Sequence, residues 1–422
     1  MAGQRTRGLR VAVVGGSIAG CAAALAAHRA GAENVTLYER APGRLGERGM
    51  GVAVHGARYA ELEAAGYLDA AMPWVQLRHR HWYVRDTACA DPLGRRIARM
   101  DFPFRTYNWG SLWHELRDRL PAGTDVRSGT RVEAVTPAET GAEVRTEAGG
   151  ERYDLVVGAD GHRSVVRGAA FAEVRPRLAG YPAWRGAYPV ERLADPERWP
   201  VGECAYVVFP GGHLIVYRIP AGPGDPTGSR VNWVFYTAPS TGLALPADPA
   251  ATAGSPDERD RSAADTLSTA QRELLARVAD ALLPPYWAAL LKETARDELA
   301  VQTLYDFTAP RYTAGPLLLL GDAATVARPH TGAGAVKALQ DASALERALS
   351  STPDLPRALH GYDSERAPTG RTMVDLGRRL GDALVARTPD WSALDQRGLE
   401  AWWQRADGSG AFGGKRLDGR QS

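Results

Sequence analysis

The places where this chain could do chemistry are three glycine-rich turns, each closing an apolar run, and one pairing of an imidazole with a phenol. Gly15, Gly16, Ser17, Ile18, Ala19 and Gly20 stand between the apolar run Leu9–Val14 and an alanine-rich stretch. The first glycine permits a tight turn, the small Ser17 lets a backbone approach a pyrophosphate, and Gly20 lets a helix pack closely on its strand. Free N–H groups at such a helix start attract anions. The run VTLYER then ends in Glu39, nineteen residues after Gly20, where an acid accepts hydrogen bonds from an adenosine ribose. The middle glycine of the GxGxxG pattern is Ser17 here, and an ordinary strand–helix turn uses glycine for the same steric reasons.

Two later stretches repeat this grammar. Leu155–Val157 ends in Gly158, Ala159, Asp160 and Gly161 beside Arg163, which suits a phosphate-rich cofactor and also reads as a capped turn. In residues 315–349 four leucines end at Gly321 and Asp322. A loop through Pro329 and His330 then reaches Gly332 and Gly334, which open a helix suited to an anion. Gly49 and Gly51 would let backbone amides approach a ligand, or serve a flexible loop.

Proton chemistry points elsewhere. In HLIVYR, His213, Ile215 and Tyr217 share one face of a strand because side chains alternate. An imidazole titrates near neutrality, so His213 is the first candidate for a base or proton relay, with Tyr217 as a hydrogen-bonding partner. The bland alternative is a satisfied sheet histidine and a packed tyrosine. Trp184 and Trp233 are candidate contacts for an aromatic ring, although tryptophans in a sheet are more often core. His330 would face that ring or shape its loop, Arg185 would hold an anionic group, and His55 would lie near a cofactor.

Positioning these groups takes two kinds of layer. Leu9–Val14 reads as a buried parallel strand followed by a helix, with a further helix near residues 57–65 and another over 108–120, where Leu112, Leu116 and Leu120 fall four apart. Residues 74–100 alternate around a DPLG turn as a half-buried hairpin, and 125–147 give two or three short strands. From 178 to 304 aromatics recur in β-like runs, a separate antiparallel sheet. The stretch 239–258 reads as an exposed loop, 260–291 as helical until Pro284 and Pro285, 355–400 as amphipathic helices, and the tail from Ala406 as disordered.

The whole chain sets bounds. At 422 residues it exceeds a single core, and 44% hydrophobic with 24% charged residues describes a soluble globular protein. A net charge of +2 argues against a nucleic-acid surface. Cys21, Cys89 and Cys204 are too few and too scattered for a disulfide framework or a zinc site, so no metal and a reducing, cytoplasmic setting are expected. No signal-cleavage pattern follows the N-terminal arginines, and no apolar run is long enough for a membrane span.

The three turns in this order, VVGGSIAG with Glu39, GADGHRSVVR and GDAATVARPHTGAGAVKALQDA, resemble the single-component FAD-dependent aromatic hydroxylases of the para-hydroxybenzoate hydroxylase fold, over nearly the whole chain. Within that family, GGSIAG, AWRG at 183–186, VNWVFY at 231–236 and ARPHTGAGAVKA at 327–338 are similar to the 2,6-dihydroxypyridine 3-monooxygenase branch. Antibiotic-tailoring enzymes acting on larger rings look similar too. Trp109 stands where many relatives carry an arginine, and Thr325 replaces a histidine often found after GDAA.

The resemblance implies an α/β fold: a Rossmann-like FAD-binding domain interleaved with an antiparallel-sheet substrate domain, and C-terminal helices. Its division would be 1–175 for FAD binding with an inserted hairpin at about 74–100, 176–304 for the substrate sheet, 305–350 returning to the FAD domain, 351–405 for the helices and 406–422 for a disordered tail. FAD would lie on Gly15, Gly16, Ser17, Ala19, Gly20, Glu39, Arg40, Gly49, Gly51, Asp160, Asp322, Pro329, Gly332, Ala333 and Gly334. Cys204, His213, Tyr217, Trp184, Trp233 and His330 would bind the substrate, the first three at a spacing similar to the 6-hydroxynicotinate hydroxylases.

NADH or NADPH would act as a transient co-substrate with O2, through a flavin 4a-hydroperoxide that hydroxylates a hydroxypyridine, a related heteroaromatic or a natural-product ring. A small aromatic molecule is then the partner, with no nucleic acid and no membrane, and with monomer and homo-oligomer both open. The competing readings are a reductase or halogenase on the same fold and a non-enzymatic flavin- or ligand-binding protein.

Overall fold

The structure of the chain, a computed structural model, describes residues 8–43, 50–222, 225–239, 268–408 and 410–414. The chain starts with β1 (Arg10–Val14), α1 (Ile18–Arg29) and β2 (Asn34–Glu39), then β3 (Gly51–His55), α2 (Gly56–Ala64), β4 (Val75–Val84), β5 (Arg95–Asn108) and α3 (Trp109–Asp118). Four short strands follow, β6 (Asp125–Ser128), β7 (Ala134–Pro137), β8 (Ala142–Thr146) and β9 (Gly149–Tyr153), and lead to β10 (Leu155–Gly158) and α4 (Val165–Ala170). Long strands come next: β11 (Arg177–Pro189), β12 (Glu203–Phe209), β13 (Gly212–Gly222) and β14 (Asp225–Thr237). Then come α5 (Thr269–Leu282), α6 (Pro285–Lys292), β15 (Leu299–Thr308), β16 (Thr313–Ala314), β17 (Leu317–Leu319) and β18 (Thr325–Val326). The helices α7 (Gly334–Ser351), α8 (Leu355–Gly381) and α9 (Gln396–Asp407) complete the sequence of elements.

Two large sheets divide the work. The first has the order β16–β17–β10–β1–β2–β6 and is parallel apart from its β16–β17 edge. Its strands are buried apolar runs because helices cover them, and the alanines of α1 allow close packing. The second has the order β18–β15–β11–β14–β13–β12–β4–β5–β3 and is antiparallel except where β12 meets β4. One face carries Trp184, Trp233 and Phe235 against α5 and α6; the other carries Tyr181, Cys204, Tyr206 and Tyr236 against α8 and α9. A small three-stranded sheet of β7, β8 and β9 stands apart.

The predicted α/β architecture is observed. Helices α2 and α3 lie where the leucine spacing and the loop placed them. Pro285 starts α6 instead of merely ending α5, since the first turn of a helix has no use for its missing N–H. Two expectations are corrected. The hairpin assigned to the FAD-binding part belongs by hydrogen bonding to the nine-stranded sheet, with Cys204 opposite Arg80. The tail expected to be disordered from Ala406 is packed as far as it is described: α9 runs to Asp407, and Ala411 and Phe412 are buried against the second sheet. Residues 409 and 415–422, most of the loop expected at 239–258, and Gly49 lie outside the described residues. Among the described residues no helix is long and apolar enough to cross a membrane.

Candidate functional site

The three glycine turns meet. Gly15 has φ of +103°, and a Cβ there would lie 2.4 Å from the Ala159 carbonyl oxygen and 2.9 Å from Asp160 Cα, so the turns after β1 and β10 are in direct contact. A Cβ on Gly321 would come within 3.0 Å of Ala19 and 3.5 Å of Ala338, which wedges the third turn between α1 and α7. Gly20 needs its missing side chain because a Cβ would sit 1.7 Å from the Gly15 carbonyl oxygen.

Polar groups then fix the turn. Glu39 accepts hydrogen bonds from the N–H of Gly16 at 2.7 Å and of Ala41 at 2.8 Å, and the Trp113 indole donates to the Gly16 carbonyl at 2.7 Å. Asp160 Oδ2 accepts from the Val165 N–H at 2.7 Å, while its buried Oδ1 has no hydrogen-bond partner among the described residues. Ser17 and Ala333 open α1 and α7 without a side-chain cap and without an acid in the first turn. Two uncapped helix starts, a carboxylate at the end of β2 and an unpartnered carboxylate oxygen fit a dinucleotide such as FAD. Asp322 is exposed beside them, Arg40 is exposed after β2, Pro329 is half-buried, and Gly332 takes φ of +62° at the end of the Pro329–Thr331 turn.

Two buried ionic networks hold these turns. Asp341 accepts from Lys337 Nζ at 2.5 Å, from Arg366 Nε at 2.7 Å and from the Gly321 N–H at 2.9 Å. Burial pulls the Lys337 ammonium down, but Asp341 outweighs it and leaves the group above its usual range. Asp306 accepts from Arg328 Nε at 2.9 Å and from Arg378 Nε and Nη2 at 2.9 and 2.6 Å, tying the loop before Pro329 to α8.

One face of the second sheet meets the third glycine turn through His330. Its cross-strand pairs set His213 beside Tyr236 and Val208, and Tyr217 beside Asn232. Cys204, His213 and Tyr217 therefore share a face, with Arg185 two strands away. His330 reaches it from the glycine loop, its ring centroid 4.4 Å from that of Tyr236 and 5.3 Å from that of His213, and its Nε2 is 2.8 Å from the Tyr181 hydroxyl. Asn232 Oδ1 accepts from the Gly51 N–H at 2.9 Å and Tyr217 donates to the Gly51 carbonyl at 3.3 Å; a Cβ on Gly51 would strike both side chains. Ile215, Tyr217 and Arg185 stay partly exposed in mid-strand, which marks uncovered space above them.

Burial sets the protonation of this face. His213 is fully buried with neither ring nitrogen in a normal hydrogen bond, and burial pushes it down to about 3. Its expected titration near neutrality is corrected accordingly. His330 is pushed well below its ordinary value by burial, with His213 and Arg328 adding to the shift. Burial likewise raises the Cys204 thiol and the Tyr217 phenol, against the pull of Arg80 on the first and Arg185 on the second. Arg185 Nη1 contacts Met50 Sδ at 3.2 Å, its Nε is buried without a hydrogen bond, and no carboxylate lies within ion-pair distance among the described residues.

Trp184 and Trp233 do not join this group. Both are fully buried on the opposite face, and the Trp233 indole donates to Thr294 Oγ1 at 2.9 Å. Alternation already separates Trp184 from Arg185, and Trp233 is opposite Val216, not His213. The side chain of Ala333 is buried in the core under the sheet. His55 caps α2 through Nδ1 and meets Phe104 edge-on. Thr325 bonds inward to Thr308 and Tyr312, and Trp109 donates its backbone N–H to the Met50 carbonyl. Sequence reasoning missed Trp113, Asn232 and the Asp341 network. Lys337 and Asp341 carried a signal, an i,i+4 pair of opposite charges inside an otherwise apolar helix.

Turns and sheets of this kind define a dinucleotide-dependent oxidoreductase architecture, and comparison with known proteins agrees. The family model described as an FAD binding domain matches residues 262–377. The chain is 30% identical over 421 residues to a salicylate hydroxylase of Pseudomonas putida, covering 89% of this chain and 87% of that one. It is 27% identical over 387 residues to the 2,6-dihydroxypyridine 3-monooxygenase of Paenarthrobacter nicotinovorans, covering 89% and 91%. The solved 2,6-dihydroxypyridine-3-hydroxylase from Arthrobacter nicotinovorans superposes with a TM-score of 0.75 at 24% identity, over 92% of this chain and 96% of that one. The chain belongs to the FAD-dependent aromatic monooxygenases. It is therefore an enzyme and FAD is its cofactor, with NAD(P)H and O2 the co-substrates typical of the family.

Proposed function

We propose that this enzyme hydroxylates an electron-rich aromatic ring, a hydroxypyridine or related heteroaromatic, in the space between the glycine turns and the face of β13. The observation that carries this reading is that Ile215, Tyr217 and Arg185 stay partly exposed in mid-strand on the sheet face that His330 of the third glycine turn reaches. Names of relatives that act on dihydroxypyridine and salicylate support the ring class. Domain roles follow: residues 10–39, 125–170 and 313–351 hold the cofactor, while β3 to β5 and β11 to β15 hold the ring.

FAD would be held with its pyrophosphate at Gly15, Gly16, Ser17, Ala19 and Gly20 and its ribose at Glu39 and Arg40. Asp322 and Asp160 would meet its middle, and Gly51, Pro329, Gly332, Ala333 and Gly334 its ring. When bound, the flavin supplies activated oxygen. The chain's own tasks are to orient the ring, to favour its ionised hydroxyl and to exclude water. Arg185, a cation with no carboxylate within ion-pair distance among the described residues, would stabilise the ionised hydroxyl. Tyr217 and His213 would position the ring, His213 as a neutral acceptor, with Cys204 and His330 closing the pocket behind them. Desolvation strengthens each of these contacts.

The test is NAD(P)H consumption by the FAD-loaded enzyme against hydroxypyridines and phenols, with product masses. A ligand that accelerates consumption and gains one oxygen is the expected result. Accelerated consumption with no oxygenated product from any ring would favour a reductase and reject the reading.

A further inference from the structure

A cavity lies beside the second sheet. Its volume is about 340 Å3, and it opens between β4, β5 and α9. At its base is Arg80, 2% exposed, whose Nε and Nη1 have no hydrogen-bond partner within normal distance among the described residues; Nη2 contacts Met100 Sδ at 3.7 Å, and the Tyr206 hydroxyl interacts with the guanidinium. No carboxylate stands within ion-pair distance of it among the described residues. Aromatic rings surround the guanidinium instead: Trp403 at 4.0 Å, Trp82 and Tyr206 at 4.8 Å, Phe102 and Phe412 at 5.3 Å.

A buried cation is costly without a partner, and ring faces offset only part of that cost. Ring faces accept no full hydrogen bond from the N–H groups, which a carboxylate would take up. The walls of Phe102, Phe104, Trp403 and Phe412 accept a flat ring. Asp101 is exposed and Asp407 half-buried, so the negative side chains sit further out than Arg80 and disfavour a second negative charge on the ligand. Asp407 acts on Arg80 at longer range and accepts from the Phe412 N–H at 3.2 Å.

We propose that this cavity is a binding site, separate from the flavin groove, for a monoanionic aromatic acid whose carboxylate pairs with Arg80 and whose ring lies against the cavity wall of Phe102, Phe104, Trp403 and Phe412. The turn Phe412–Gly414 forms one wall of it. A Cβ on Gly413 would lie 2.5 Å from Phe104 and 3.5 Å from His55, and the same turn packs on Pro329–Thr331.

Calorimetric titration of the FAD-loaded enzyme with benzoate, and with benzamide as the neutral control, tests this while the flavin absorbance is recorded. Benzoate should bind, and benzamide about tenfold more weakly. Arg80→Met, which removes a buried charge at similar volume, should retain FAD and lose benzoate affinity about tenfold or more, with Arg80→Lys between the two. Asp407→Asn should tighten benzoate about threefold by removing a nearby like charge, and it decides the matter if Arg80→Met does not hold FAD. Failure of benzoate to bind, equal binding of benzamide, or affinity indifferent to Arg80→Met or, failing that variant, to Asp407→Asn overturns the proposal. So does benzoate binding that perturbs the flavin spectrum and is lost in Arg80→Met, because the cavity would then belong to the ring-hydroxylating site.

Discussion

His213 enters the fold with neither ring nitrogen in a normal hydrogen bond and with its conjugate acid pushed down to about 3 by burial, so at neutral pH it is an uncharged acceptor. An unfolded histidine takes its proton near pH 6.5. Above that value both states are neutral and the residue contributes nothing to pH dependence. As the pH falls toward 3, the unfolded chain binds a proton that the folded one refuses, and stability is lost. Between pH 7 and pH 5 this amounts to about 2 kcal/mol for one such histidine. Denaturant titrations at the two values should show the fall, and His213→Phe should remove about that share while lowering the yield of hydroxylated product per NAD(P)H. His330 shifts in the same direction and should steepen the remaining slope. Glu39 is the other single-residue case. Glu39→Ala strips the acceptor from the Gly16 and Ala41 N–H groups, and FAD affinity measured by flavin fluorescence should fall about tenfold or more.

Among the elements, α7 carries one of the two buried ionic networks. Asp341→Asn leaves Lys337 and Arg366 buried without their counter-charge, and a loss of about 3–5 kcal/mol in chemical denaturation is expected. On β14, Trp233→Phe removes a buried hydrogen bond to Thr294 and should cost about 1–3 kcal/mol while leaving product yield per NAD(P)H unchanged, because the ring faces α5 and α6. That contrast shows what the sequence could tell. The alternation His213, Ile215, Tyr217 was enough to predict a shared face, and the same parity already set Trp184 apart from Arg185. The glycine turns were legible because their local sterics repeat wherever a strand feeds a helix beside a neighbouring backbone. Trp113 on the Gly16 carbonyl and Asn232 on the Gly51 N–H were not, since each joins residues roughly a hundred positions apart or more, and no local pattern reports such a bond.

For the whole molecule, the unpredicted part is how the two sheets share the chain. The β4–β5 hairpin sits early in the sequence yet pairs with β12, because its buried aromatics need the face that α8 and α9 cover. The C-terminal turn completes that face with Phe412 against Phe102 and Phe104. Ending the chain at Asp407 should therefore lower stability by about 2–3 kcal/mol, the worth of burying one such ring, as read from the denaturation midpoint.

The parallel sheet also bears on the order of events during synthesis. Val14 pairs with Gly158, and Gly158 with Leu319, so the glycine turn after β1 gains its neighbours from strands made much later. At roughly 5–20 residues per second the ribosome needs on the order of ten seconds for each of those intervals. Throughout that time β1 and the alanine face of α1 have no finished sheet to rest on, and contacts this distant in sequence form slowly. Loading of the cofactor is thus one of the last steps in the making of this enzyme, and nascent chains that stop short of β17 should emerge colourless.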